Sequence, residues 1–365
     1  MILMNDFTAE PAELRQSMSD AAARVFASGW YVLGQELKGF EAAWARACGT
    51  AHCLGVGNGM DAIELALRAL DIGPGDEVIT TPLTAFATVL AVLRAGAEPV
   101  LADIDPDSGL LAPDSVRRCL TPRTRAVLLV HLYGQMRDMT TWTSLCKDAG
   151  VALIEDCAQS HLAQWDGHVA GSIGAVGAYS FYPTKNLGAI GDGGAVVTID
   201  EALAQRVGRL RNYGQSERYV HPELGLNSRL DELQAALLCE RLRWLERFTA
   251  RRREVAKAFD EHLRHPRVQL LAPPQRAASH VHHLYVLRCT DRVGLSLHLA
   301  ARDVQTLIHY PIPVHRQQLC STLRCDPMGL PQAEAHAAQC LSIPCHPHMS
   351  DADVAQVMDA VNSWH

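Results

Sequence analysis

Between His52 and Ile154 short apolar runs alternate with segments of helical periodicity, and this alternation constrains the fold more than any other feature of the chain. The apolar runs are His52 to Val56, Glu77 to Thr80, Pro99 to Ala102, Ala126 to Val130 and Val151 to Ile154. The segments between them, Asp61 to Leu70, Phe86 to Ala95, Pro113 to Leu120 and Thr140 to Ala149, carry helical patterns. Strands joined through helices cannot pair as hairpins, so they lie parallel and the helices cover both faces of the sheet. Two more strands, Ala178 to Phe181 and Ala195 to Ile199, and a helix from Glu201 to Asn212 continue the pattern.

The fold class expected is therefore α/β, a large domain with a mainly parallel sheet between helices. Helices at Pro11 to Phe26 and Phe40 to Ala47 read as an entry arm, and one long helix, roughly Leu230 to Phe259, leads out of the domain. The boundary is placed near Ala250, giving an arm and large domain over 1–250 and a small α+β domain over 251–365. The small domain is read from a strand at His283 to Arg288, a helix near Leu295 to Arg302, and a last helix capped by Ser350 with Asp353 three residues on.

In parallel sheets ligands gather at the carboxyl ends of strands. At one such end stand Glu155 and Asp156, followed by Gln159 and His161. A carboxylate leaving a buried strand needs a cationic or hydrogen-bonding partner, and Asp156 is the stronger candidate because Glu155 points the other way along an extended chain. The first strand meets Gly57-Asn58-Gly59 before a helix, an arrangement that offers free N–H groups to a phosphate. Its G-x-G-x-G spacing from Gly55 is not the dinucleotide fingerprint, and no G-K-S/T follows.

From Gly167 to Gly191 the only Lys, Arg, Asp or Glu is Lys185. A lysine desolvated among such neighbours has a lowered pKa and offers a neutral amine near pH 7, which is what a Schiff-base lysine needs. A phosphate cradle, a buried carboxylate and such a lysine suit a cofactor with a phosphate, a protonated ring nitrogen and an aldehyde, namely pyridoxal phosphate.

The net charge of −7 gives no basic face for nucleic acid. Eleven cysteines without a C-x-x-C pair argue against a disulfide framework, and the opening MILMNDFTAE has neither a basic leader nor an apolar span. A cytoplasmic protein that binds neither membrane nor nucleic acid is expected. His280, His282, His283, His346 and His348 are read as solvated or structural, with no metal site.

The runs Val56-Gly-Asn-Gly-Met-Asp-Ala-Ile, His131-Leu-Tyr-Gly-Gln, Ile154-Glu-Asp-Cys-Ala-Gln-Ser-His161, Ser180-Phe-Tyr-Pro-Thr-Lys-Asn-Leu187, Gly191-Asp-Gly-Gly194 and Asn227-Ser-Arg-Leu-Asp-Glu232 resemble the DegT/StrS family of sugar aminotransferases, fold-type I pyridoxal-phosphate enzymes. His309-Tyr-Pro-Ile-Pro and Leu341-Ser-Ile-Pro match as well, so the likeness covers nearly the whole chain in order. It implies a seven-stranded type of sheet and an internal aldimine on Lys185. Asp156 then partners the ring nitrogen and Gln159 lies beside the ring. The phosphate falls to the backbone at Gly59 and Met60, to the Ser180 hydroxyl and, from the neighbouring subunit of a homodimer, to Asn227. His161, Arg229 and Tyr310 are implied substrate contacts.

Two positions depart from the family pattern. Met60 stands where many relatives carry Thr, and the aromatic residue that stacks on the ring aligns with Ala85, which leaves Phe86 as the candidate. The activity implied is a ping-pong transfer from glutamate to a nucleotide-linked keto-deoxysugar. A cyclitol or other non-nucleotide ketone is an alternative acceptor. A sugar dehydratase using pyridoxamine phosphate would carry His in place of Lys185, and a non-catalytic regulator would be expected to lose Lys185 or Asp156.

Overall fold

In the computed structural model, which describes residues 1–365, the alternation read from the sequence becomes a large mixed sheet flanked by helices. Its first strands are β1 (His52–Val56), β2 (Glu77–Thr80), β3 (Glu98–Leu101), β4 (Thr124–Val130) and β5 (Ala152–Asp156). A short hairpin of β6 (Gln164–Trp165) and β7 (His168–Val169) precedes β8 (Val176–Ser180) and β9 (Gly194–Thr198). Then come β10 (Val268–Leu270), β11 (Tyr285–Cys289), β12 (Arg324–Cys325) and β13 (Cys340–Ile343).

The order across the large sheet is β1-β9-β8-β5-β4-β2-β3-β12. Pairing is parallel from β8 to β12 and antiparallel where β9 meets β8 and β1. Helices on both faces bury β2 and nearly all of β4, which is why those strands read as continuous apolar runs. The expected α/β class stands, with seven strands from the first part of the chain and a two-residue eighth, β12, from the C-terminal third.

One feature differs from the sequence reading. The single helix expected from Leu230 to Phe259 is two, Glu232–Leu242 and Leu245–His262. Trp244 N–H bonds the Arg241 carbonyl three residues back, a tightened turn that breaks the α-helical ladder while the Trp244 ring packs on Phe248. Residue 250 falls inside a helix, as it does in the sequence reading. Beyond that helix β10, β11 and β13 form a separate three-stranded sheet, with Val255, Phe259, Leu287, Leu341, Val357 and Trp364 in its core.

His282, His283 and His346 are buried rather than solvated, and burial lowers the pKa of all three. All eleven cysteines are free, and no helix is long and apolar enough to cross a membrane.

The arm is tied down by one carboxylate. Glu232, 2% exposed, accepts N–H bonds from Gly34, Glu36 and Leu37 at 2.7, 2.9 and 3.1 Å, so it caps the N-terminus of helix Gln35–Cys48. Glu232→Ala, which orphans three donors, should lower the unfolding free energy by about 3 kcal/mol in urea denaturation. Glu232→Gln should keep part of that loss back, and no change in either variant would mean that water caps the helix equally well.

Candidate active site

The carboxyl ends of β4, β5 and β8 lie side by side and deliver His131, Asp156 and Ser180 to one region. Asp156 is 4% exposed; it accepts from the Thr88 hydroxyl at 2.9 Å and the Ala158 N–H at 3.1 Å. Burial raises its pKa, and these donors together with Lys185 and His131 work against the shift.

Lys185 sits on the loop after β8, half-buried, and its side chain has no hydrogen-bond or ion-pair partner in the chain. Burial lowers its pKa to about 8, with the charge of Asp156 the opposing influence. A partnerless lysine ammonium in such surroundings is costly, and here it stands within electrostatic reach of a buried carboxylate. The small cleft it lines also includes Asn5, Asp6 and Phe7, a contribution of the N-terminus that no motif announces.

The glycine turn after β1 leads into helix Gly59–Ala69, with Asn58 accepting from Asp61 N–H at 2.8 Å as its cap. The first N–H groups, of Gly59 and Met60, have no partner within the helix. A methyl group on Gly59 would lie 2.6 Å from Ser180 Cβ, so glycine is what lets the helix end approach Ser180. The Ser180 hydroxyl accepts from Tyr182 N–H at 3.3 Å, which leaves its own proton to donate. Two adjacent backbone donors and a hydroxyl at a helix N-terminus form an anion cradle. The Met60 sulfur lies 3.9 Å from the Arg94 guanidinium and adds no donor.

Gln159 is held by both of its polar atoms. Its Oε1 accepts from Tyr133 N–H at 2.6 Å, and its Nε2 donates to the Tyr310 hydroxyl at 3.2 Å. Tyr310 has its pKa pushed up to about 12, by burial and then by Asp156, so Asp156, Gln159, Lys185 and Tyr310 share one neighbourhood.

Other expected residues are engaged in different contacts. His161 is fully buried among Trp44, Tyr179 and Phe181, bonded to the Ser180 carbonyl at 3.0 Å, with burial lowering its pKa to about 3. That enclosure makes it a support behind Ser180 and closes it to substrate. Phe86, half-buried, packs against the cluster of Val89, Leu101, Val314 and Leu330. Arg229 bonds Asn212 Oδ1 at 3.0 Å and lies over the Tyr213 ring, while Asn227 is exposed and its side chain has no partner. Neither shares a contact with Lys185 or Asp156 within the chain.

Thr88 and Glu155 were undervalued from sequence. Thr88 lies in an apolar helical run with nothing to set it apart. Glu155 is fully buried and accepts from Gly171, Ile173 and Gly174 N–H at 2.9, 2.9 and 2.7 Å, with the His131 ring at 2.8 Å. Burial alone would raise its pKa, but these partners hold it below the usual range. With its oxygens so occupied, the trio of His131, Glu155 and Cys157 is a hydrogen-bonded anchor rather than a metal site.

Comparison with known proteins gives one consistent answer. The model of the DegT/DnrJ/EryC1/StrS aminotransferase family matches residues 12–362. The chain is 47% identical to the erythromycin biosynthesis sensory transduction protein EryC1 of Saccharopolyspora erythraea, over 94% of each chain. It is 45% identical to the dTDP-3-amino-3,4,6-trideoxy-alpha-D-glucose transaminase of Streptomyces venezuelae, over 98% of this chain and 95% of that one. The crystal structure of S. venezuelae DesV in complex with a ketimine intermediate superposes with a TM-score of 0.95 at 45% identity, covering 100% of this chain and 98% of that one.

The lysine gives a prediction that needs no substrate. Because its folded pKa is lowered to about 8, the fraction of neutral amine rises as pH climbs through that value. Labelling of Lys185 by an amine-directed reagent, read by peptide mass spectrometry, should be half-maximal near pH 8. In Asp156→Asn, which removes the charge that favours the ammonium, the midpoint should move lower; a midpoint near that of a free lysine would overturn this account.

Proposed function

The chain belongs to the DegT/DnrJ/EryC1/StrS aminotransferase family, and from that premise we propose that it transfers an amino group from glutamate to a nucleotide-linked keto-deoxysugar with pyridoxal phosphate as cofactor. The observation that carries the reading is a partnerless, half-buried Lys185 within electrostatic reach of buried Asp156. Nucleotide-sugar chemistry is supported by the S. venezuelae relative, whose name places the amine on C3 of a dTDP-linked sugar. A C3 ketone on such a sugar is therefore the first acceptor to try.

The residues present fit this cofactor on two grounds. Gly59, whose missing side chain admits Ser180, leaves a cradle of N–H and O–H donors for a phosphate. Asp156 has donors on both oxygens yet keeps lone pairs for a cationic N–H. When bound, pyridoxal phosphate supplies an electron-withdrawing ring and a carbon that carries nitrogen from donor to acceptor.

The chain's own residues then take these parts. Lys185 would attach the cofactor between turnovers and, as a free amine, would move a proton between the cofactor and substrate carbons that flank the transferred nitrogen in both half-reactions. Asp156 holds the ring N–H, and Gln159, fixed by Tyr133 and Tyr310, lies beside the ring. Gly59, Met60 and Ser180 bind the phosphate, with His161 holding the Ser180 backbone from behind. Asn227, exposed and unpartnered in its own chain, reaches the phosphate of a second copy, so the working unit is a homodimer. Arg229 and Tyr310 are assigned to substrate. The two bodies divide at helix Leu245–His262, and the free cysteines support a reducing, cytoplasmic setting.

A regulatory reading is prompted by the sensory name of one relative, but a protein without catalysis has no use for Lys185 beside Asp156. With pyridoxal phosphate the wild type should show a visible absorption band that gives way to a shorter-wavelength band on adding glutamate. Lys185→Ala should lose turnover by about four orders of magnitude. A bound cofactor whose spectrum ignores glutamate would remove the proposed donor, and amination of cyclitol ketones in preference to dTDP-linked ones would replace the proposed acceptor.

A further inference from the structure

Helix Phe86–Arg94 follows β2 and presents a mostly apolar face to the protein, with Val89, Ala91 and Val92 fully buried. Two hydroxyl groups interrupt this surface. Thr88 is 2% exposed and Thr84, just before the helix, is 4% exposed. A buried hydroxyl in apolar surroundings is unfavourable unless it is bonded, and these two are bonded in series. Thr84 Oγ1 lies 2.9 Å from Thr88 Oγ1, and Thr88 Oγ1 lies 2.9 Å from Asp156 Oδ2.

The polarity of this chain follows from proton counting. A hydroxyl has one proton to give. Facing an ionised Asp156, Thr88 donates that proton to the carboxylate and must accept from Thr84, so each bond polarises the next. The other oxygen, Oδ1, accepts from the Ala158 N–H, a donor that cannot reverse. Thr88 is the only side chain hydrogen-bonded to Asp156.

We propose that Thr88, backed by Thr84, is a positioning residue that keeps Asp156 a carboxylate aimed at the ring nitrogen of pyridoxal phosphate; the proposal rests on the cofactor reading above. The groups facing Asp156 are Lys185 on the loop after β8, His131 at the end of β4 and Tyr310 from the C-terminal part. Burial pulls Asp156 toward its neutral form, and a charge-assisted donor with a donor behind it pulls the other way. Lys185 takes part in the reaction itself and alternates between attached and free amine, so its electrostatic help to Asp156 is not constant. The hydroxyl relay has no such dependence on the reaction.

The test compares wild type, Thr88→Val, Thr88→Ser and Thr84→Val after removal of cofactor by dialysis, each checked for an unchanged melting temperature. Binding of pyridoxal phosphate and of its analogue with C–H in place of the ring nitrogen is titrated for each. Thr88→Val should weaken pyridoxal phosphate binding by about 10- to 100-fold. Thr88→Ser should restore it, Thr84→Val should give a smaller loss, and the carbon analogue should bind wild type and Thr88→Val alike. An unchanged affinity in Thr88→Val, or an equal loss for both ligands, overturns the relay while leaving the cofactor reading intact. Failure of wild type to bind pyridoxal phosphate at all overturns the cofactor reading itself and the relay with it.

Discussion

Two consecutive buried carboxylates at the end of one strand set the terms for the rest of the structure. Alternation along β5 sends Glu155 and Asp156 to opposite faces of the sheet. Leaving either unpaired would cost several kcal/mol, and the chain meets that demand differently on the two sides. Glu155 is saturated by the His131 ring and the N–H groups of Gly171, Ile173 and Gly174, so it fixes the loop that feeds β8. Asp156 has only two donors, and its remaining electron pairs stay available. The saturated carboxylate builds the frame that carries Ser180 and Lys185 to the unsaturated one.

The C-terminal third enters this frame through polar contacts. Gln159 joins the Tyr133 backbone to the Tyr310 hydroxyl, and the Tyr133 hydroxyl donates to the His309 carbonyl at 2.7 Å. His309 in turn bonds Ser342 at 2.8 Å, on β13 of the smaller sheet. A shift of the smaller sheet is therefore felt at Gln159 through directional bonds, with little slack in their geometry. The Asn5 to Phe7 segment makes the N-terminus a party to the cleft that Lys185 lines.

Much of this was legible in the sequence because its signals are local. The strand and helix alternation, the glycine turn before Gly59 and the isolation of Lys185 are patterns within a few residues, and each turned up where expected. The break at Arg243–Trp244 was hidden because neither residue is a helix breaker; it arises from where the Trp244 ring packs. His161 read as a site residue by its place after Asp156, yet only the fold reveals the cage of Trp44, Tyr179 and Phe181, drawn from distant segments. The packing of Phe86 was hidden for the same reason, since its partners Val314 and Leu330 arrive from the far end of the chain. Thr88 carries no sequence signal at all: its meaning lies in a bond to a residue 68 positions away.

The two-residue strand β12 is the smallest element of the large sheet, and it bears on how the protein is made. It covers β3, pairing Arg324 with Val100 and Cys325 with Leu101, and Arg324 also reaches buried Glu77 on β2 at 2.7 Å. Until it arrives, β3 is an open edge with unpaired backbone groups, the kind of surface on which chains stick to one another. These partners are about 220 residues apart, so at roughly 5–20 residues per second of synthesis the edge stays bare for about 10–45 s on the ribosome. On a crowded polysome, neighbouring nascent copies would meet edge to edge during that interval, which makes the newborn chain a natural client for chaperones long before it has a substrate to bind.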